Sequence, residues 1–137
     1  MKLSAKTKYG IQALFEIALL GHLGGISSSD IAGSQGIPPR FLEQILLTLK
    51  KAKLIKSLRG RSSGDTLARP AEEIDLLEVI DALEGPLSFS SNLKKGSLIA
   101  VTINNIEKQL KESLKSITFK ALVEAKRKKD RSYTYSI

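Results

Sequence analysis

At 137 residues, with a formal net charge of +8 and 42% hydrophobic residues, the chain suffices for one domain, or a small domain with an extension, and for a buried core. It contains no cysteine, which excludes disulfides, thiolate metal sites and catalytic thiols. The charge is uneven: residues 1–70 hold 11 Lys/Arg against 4 Asp/Glu, a net +7, and residues 71–137 hold 11 against 10, a net +1. A positive field confined to one half suits a polyanion, a basic surface kept for solubility being the alternative.

The opening MKLSAKTKYGIQALFEIALLG has the basic start and apolar continuation of a secretory leader. Glu16 interrupts the apolar run and no small-residue cleavage pattern follows, so it is read as a first helix. No apolar run reaches the length of a membrane span, and the expected setting is the cytoplasm, with no membrane partner. Ile11, Leu14, Phe15 and Ala18 recur at helical spacing and predict a helix over roughly residues 5–22. Gly24-Gly25 ends it. Ser27 with Asp30 forms a capping pair for a short second helix, SSSDIAGSQ. Gly36 breaks that helix, and Pro38-Pro39 suits the first turn of a third. Phe41, Leu42, Ile45, Leu46 and Leu49 give the third helix a buried stripe, with Arg40, Glu43, Gln44, Lys50 and Lys51 off it.

Two short helices around a glycine-containing turn fit a helix-turn-helix or an ordinary helical hairpin. The next segment favours the former. Residues 54–58 and 66–68 read as strands, joined by Arg59-Gly60-Arg61-Ser62-Ser63-Gly64-Asp65, a loop able to approach phosphates closely. A helix followed by a basic hairpin is the order of a winged helix-turn-helix, in which the helix enters a major groove.

After Pro70, Asp75 is the cap of a fourth helix with Glu78 at the capping-box position. Leu76, Val79, Ile80 and Leu83 form its inner face, and Gly85-Pro86 stops it. A polar linker, 87–97, leads to a long helix over roughly 98–116. Ile99, Ile103, Ile106, Leu110, Leu114 and Ile117 approximate a heptad seam along it, the usual mark of packing on a partner, with packing on its own domain the alternative. A last helix near 118–128 ends in a basic run, read as a solvated helix end, and the tail 132–137 is expected to fray. The predicted fold class is mainly α with a small β-hairpin wing: a winged helix-turn-helix over 1–86, a linker over 87–97, and a dimerisation helix with a C-terminal helix over 98–137.

The segments MKLSAKTKYGIQAL, FLEQIL, LKKAKLIKSLRG, LARPAEEIDLLEVIDALEGPL and SITFKALVE now carry a resemblance. In content and order, over nearly the whole chain, they resemble the Rrf-type family of bacterial winged-helix regulators. The resemblance implies a homodimeric transcriptional regulator of double-stranded DNA. Its third helix would read the major groove, its wing would sit at the minor groove, and its long helix would cross to the partner through the seam residues. By position it implies backbone contacts from Lys2, Lys6 and Tyr9. It also implies DNA contacts from Pro38, Arg40, Phe41, Glu43 and Gln44 of the recognition helix, and from Arg59 and Gly60 of the wing; Ser28, at the start of the second helix, is a further expected DNA contact.

The chain departs from the family pattern in three places. Many members carry three cysteines after the fourth helix that hold an iron–sulfur cluster. Here that region reads FSSNLKKGSLIAVTI, so a thiolate-held cluster is chemically impossible and no cofactor is expected. In the wing, a Gly-rich run ending in Tyr is replaced by Arg61-Ser62-Ser63-Gly64-Asp65. There Arg61 is expected to add a phosphate contact and Asp65 to weaken one. In the recognition helix, Pro38, Arg40 and Phe41 stand where relatives often carry Ser and Tyr, which implies a different target sequence. His22, the only histidine, is read as structural or exposed.

The expected function is sequence-specific regulation, as a repressor on a palindromic operator, with a regulatory protein or small effector acting near residues 88–95. An adaptor that uses the winged helix for protein contacts is the alternative, but it has no need of +7 in one half. An enzyme built on Ser62-Ser63 and His22 lacks an orienting acid and a nucleophile elbow.

Overall fold

The computed structural model describes residues 2–60, 64–89 and 92–136, with side chains as far as Tyr133. Its elements in chain order are α1 (Ala5–Leu20), α2 (Ser28–Gln35), α3 (Pro39–Lys51), β1 (Ile55–Leu58), β2 (Gly64–Leu67), α4 (Leu76–Glu84), α5 (Leu98–Lys115) and α6 (Phe119–Ser136). Short 3-10 turns follow α1 and precede α4. The fold is mainly helical with one antiparallel hairpin, the predicted class. No helix among the described residues is long and apolar enough to cross a membrane.

Most helix starts rest on side chains a few residues away. The Ser4 hydroxyl accepts from the Thr7 amide, Ser27 from Asp30, Asp75 from Glu78 and Ser97 from Ala100, each satisfying a first-turn N–H left without a helical partner. The Ser27 and Asp75 caps are the predicted ones. Glu78 does not complete the box: its carboxylate instead takes the Arg69 guanidinium at the end of the wing. That hydrogen bond raises Arg69 above its ordinary value.

Leu14, Ile17, Ile31, Leu42, Ile45, Leu49, Leu54, Ile74, Val79 and Phe119 build one continuous core. On α1 the deepest face runs through Ala13, Leu14 and Ile17, rotated by about 100° around the helix from the predicted stripe, which it shares at Leu14. Ile11, Phe15 and Ala18 flank that core half-buried. The rotation has a cause at Gly10, where an added Cβ would lie 2.4 Å from Leu83 Cδ1, so that α4 sits directly on the α1 backbone. Glu16, the charge that breaks the apolar run, is buried and accepts from Gln35 Nε2 at 2.7 Å, tying α1 to α2.

The C-terminal helix is longer than the predicted 118–128 and its tail is helical to Ser136. Thr118 caps its first turn through the Ala121 amide, and Lys126 pairs with Asp130 one turn on at 3.0 Å. Phe119, which carries no periodic signal in the sequence, inserts fully into the core, while its amide donates to Ile74 O at 2.9 Å.

Glu84, at the end of α4, accepts from the Ser4 hydroxyl at 2.8 Å, the Ser4 amide at 2.9 Å and the Thr7 hydroxyl at 3.0 Å. The Ser4 hydroxyl first, then the Ser4 amide and the Thr7 hydroxyl, hold its carboxyl below the ordinary 4.5. A carboxyl depressed in the folded state stabilises the fold above its unfolded pKa and loses that contribution as pH falls through the folded value. The stability gap between the native chain and Glu84→Gln, read by urea unfolding, should therefore be larger at pH 7 than at pH 3. An equal gap at both values would show that the clasp carries no proton linkage.

Candidate nucleic-acid interface

Helix α3 begins at Pro39, whose missing N–H costs nothing in the first turn. Its inner face is closed by Leu42, Ile45, Leu46 and Leu49, all at most 5% exposed. The outer face carries Arg40, Glu43, Gln44, Leu47, Lys50 and Lys51, all exposed, with Pro38 exposed just before the helix. These are the predicted polar positions, with one addition: Leu47 is apolar yet 54% exposed.

The groove between α3 and the hairpin, about 500 Å³, is lined by Ser27 and Ser28 at the start of α2, Glu43, Leu47 and Lys50 of α3, and Ser57 of β1. Ser28 and Glu43, both expected DNA contacts, thus share one concavity. Arg59 and Gly60 follow β1 and are exposed, Gly60 with a positive φ of 99°. The expected contact of Arg61 lies outside the described residues. Lys2 is exposed and Lys6 half-buried around the start of α1.

Phe41 and Tyr9 are placed differently from the other expected contacts. Both are half-buried against the core, and their rings pack edge to face, with centroids 5.6 Å apart at 84°. Phe41 is therefore turned away from the outer face of α3. The pair fixes the first turns of α1 and α3 to each other, which couples the basic start of the chain to the exposed helix face.

Asp65 corrects two expectations. It lies in β2, not in the loop, and it is only 6% exposed. Ser57 Oγ donates to its carboxylate at 3.0 Å and Lys50 Nζ lies 3.3 Å away. The charge expected to repel a phosphate is neutralised inside the fold by a lysine of α3. Its backbone also pairs with Ile26 in both directions at 2.9 Å, adding a short third rung to the hairpin. Gly64 permits that approach: its φ is +149°, and a Cβ there would lie 2.8 Å from the Ile26 backbone. The hairpin itself pairs Ile55 with Leu67 and Leu58 with Gly64, so the wing is anchored at its root by α3 and Ile26. No local sequence signal exposes the Lys50–Asp65 pair, since its members lie on different elements.

The seam residues divide. On α5, Ile99 and Ile106 are 59% and 52% exposed, together with Leu98 at 79% and Val101 at 48%. Ile103, Leu110 and Leu114 are half-buried on a helix that packs along α4. Ile117 lies beyond the end of α5, half-buried in the turn to α6, where its carbonyl accepts from the Leu76 amide at 3.0 Å.

Comparison with known proteins gives this geometry a family. The Rrf2 family model, described as an iron-dependent transcriptional regulator, matches residues 3–125. The Mycobacterium tuberculosis protein Rv1287, named provisionally as an HTH-type transcriptional regulator, is 33% identical over 121 residues, 85% of this chain and 75% of its own. Among solved structures, T. potens IscR superposes with a TM-score of 0.79 at 35% identity, covering 91% of this chain and 88% of that one. CymR, described as the global cysteine regulator of B. subtilis, gives 0.81 at 31% identity, covering 91% and 98%.

The iron in the family description does not fit the donors present here. The chain has no cysteine. Among the described residues no three His, Cys, Asp or Glu side chains stand where they could hold a metal. His22, the only histidine, is exposed in the 3-10 turn after α1. The match over residues 3–125, the shared winged fold and the exposed basic helix–wing surface agree: this chain belongs to the Rrf2 family of DNA-binding HTH-type transcriptional regulators, and it is not an enzyme.

Proposed function

We propose that the protein is a homodimeric repressor that reads an imperfect palindrome with one α3 per half-site, without a cysteine-held cluster. The observation that carries this reading is the outward face of α3. Arg40, Glu43 and Gln44 are exposed together beside a basic hairpin, in the half of the chain with a net +7. Gln44 has the donor and acceptor to pair bidentately with adenine, and Glu43 accepts from cytosine N4. Arg59 and Gly60 lie along the backbone at the wing, and Lys2 and Lys6 meet phosphates beside the first turn of α1. The exposed apolar residues of α5 support the dimer, and a two-fold dimer demands two half-sites about one helical turn apart, or a multiple of it. A regulatory protein or small effector acts by favouring one spacing of the two reading helices, at residues 88–95 and the adjoining α5.

The test starts from duplexes selected by the full-length, chelator-treated protein, with the DNA upstream of its own gene as the first probe. On the selected site, Arg40→Ala or Gln44→Ala should cost about 1–3 kcal/mol and relax selectivity at one position. Arg59→Ala should weaken binding to all sequences and lower the salt slope by about one. Wild-type affinity in both Gln44→Ala and Arg59→Ala would remove the assignment.

A further inference from the structure

We propose that Leu47 is a specificity-determining residue that reads the 5-methyl group of a thymine in each half-site. The inference rests on the reading of DNA by α3 and adds to it an apolar contact. Leu47 is 54% exposed on a helix whose other leucines and isoleucine are at most 5% exposed. It belongs neither to the core nor to the half-buried residues packed against it. At 3.6 residues per turn the exposed positions of α3 run in the order Lys50, Glu43, Leu47, Arg40, Lys51, Gln44 around about 120° of the helix, so Leu47 stands inside the polar reading face and not at its edge.

Helix formation does not explain a leucine there, because Lys, Gln and Glu serve an exposed helix position about as well. Shape and chemistry supply a reason. Leu47 lines the groove between α3 and the wing together with Leu46 and Leu58, which gives that groove an apolar wall among Glu43, Lys50 and Ser57. Every other base-edge feature read in a major groove is a hydrogen-bond donor or acceptor, and the thymine methyl is its apolar mark. A rise of 1.5 Å per residue places Leu47 about 4.5 Å beyond Gln44 along the helix, on the order of one base step of 3.4 Å. The thymine therefore lies one to two steps from the base that Gln44 meets.

The experiment replaces each thymine of a selected operator, one position at a time and in both half-sites, by deoxyuridine. This deletes the methyl and leaves every hydrogen-bonding atom in place. Native protein should lose about fourfold in affinity per half-site at one position and little elsewhere, the scale of one buried methyl. Leu47→Ala should bind the thymine operator more weakly by at least that factor, keep its thermal unfolding midpoint, and no longer distinguish thymine from deoxyuridine at that position. A native protein indifferent to every replacement overturns the proposal. So does a Leu47→Ala protein that keeps the native thymine-to-deoxyuridine ratio, since the methyl effect then acts through DNA stiffness. A protein that selects no duplex from a random pool overturns the operator reading and this inference together. Indifference to the methyl on a selected operator refutes Leu47 alone.

Discussion

Replacing Ile99 and Ile106 together by aspartate should convert a dimer to a folded monomer and cost more than about 100-fold in affinity for a palindromic operator. Both side chains are more than half exposed, so they contribute little to the core of their own chain, and circular dichroism should show unchanged helix. In a two-fold interface the same side chains would meet the partner's α5, where an unpaired carboxylate is expelled from apolar surroundings. Losing the dimer removes the second half-site contact, which otherwise binds at a high effective concentration. Leu110 and Leu114 are poorer targets, because they are half-buried within their own chain and their loss damages the monomer as well. Light scattering at micromolar concentration, with operator titration, reads the outcome. A native chain that scatters as a monomer, or a double variant that remains a dimer, would remove the proposed interface.

Phe119→Ala should destabilise the protein by about 3–5 kcal/mol, a large part of the total stability of a domain this size. Phe119 is fully buried, and the two sides of its site are held by different constraints. Its amide is fixed to Ile74 O at 2.9 Å, and the Asp75–Thr118 bridge pins the turn before it. The backbone cannot slide to fill the space, so a cavity is left and the loss stays near the upper end of the range. A fall of roughly 10–20 °C in the unfolding midpoint is expected, measured at matched protein concentration because association also shifts it. A loss below about 1 kcal/mol would mean that α6 is not held by this side chain. Such a result would also weaken the account of α6 as part of the core.

Much of the helical framework was legible along the chain because its signals are local. Ser27 reaches the Asp30 amide, Asp75 reaches the Glu78 amide, Pro39 opens α3 and Gly85 closes α4, all within a turn or so of the residue concerned. The alternation of apolar and polar positions on α3 works the same way, since a period near 3.6 needs no knowledge of what lies opposite. It therefore placed Arg40, Glu43 and Gln44 on the exposed side, and it was silent about Leu47 because a leucine gives no polar signal.

The contacts between elements were decided only in three dimensions. Asp65 reads as a loop charge along the chain, yet Lys50, Ser57 and Ile26 surround it once β2 pairs with β1. Glu84 and Ser4 are 80 residues apart, and the ring that Phe41, on the predicted buried stripe, meets is Tyr9 of α1. The α5 stripe shows the same division most clearly. By itself the sequence determined that an apolar stripe recurs every three or four residues, because that is a property of one helix. Only the tertiary structure decided that Leu110 and Leu114 are half-buried within their own chain while Ile99 and Ile106 stay uncovered, because burial depends on which neighbours the fold brings against each part of a helix.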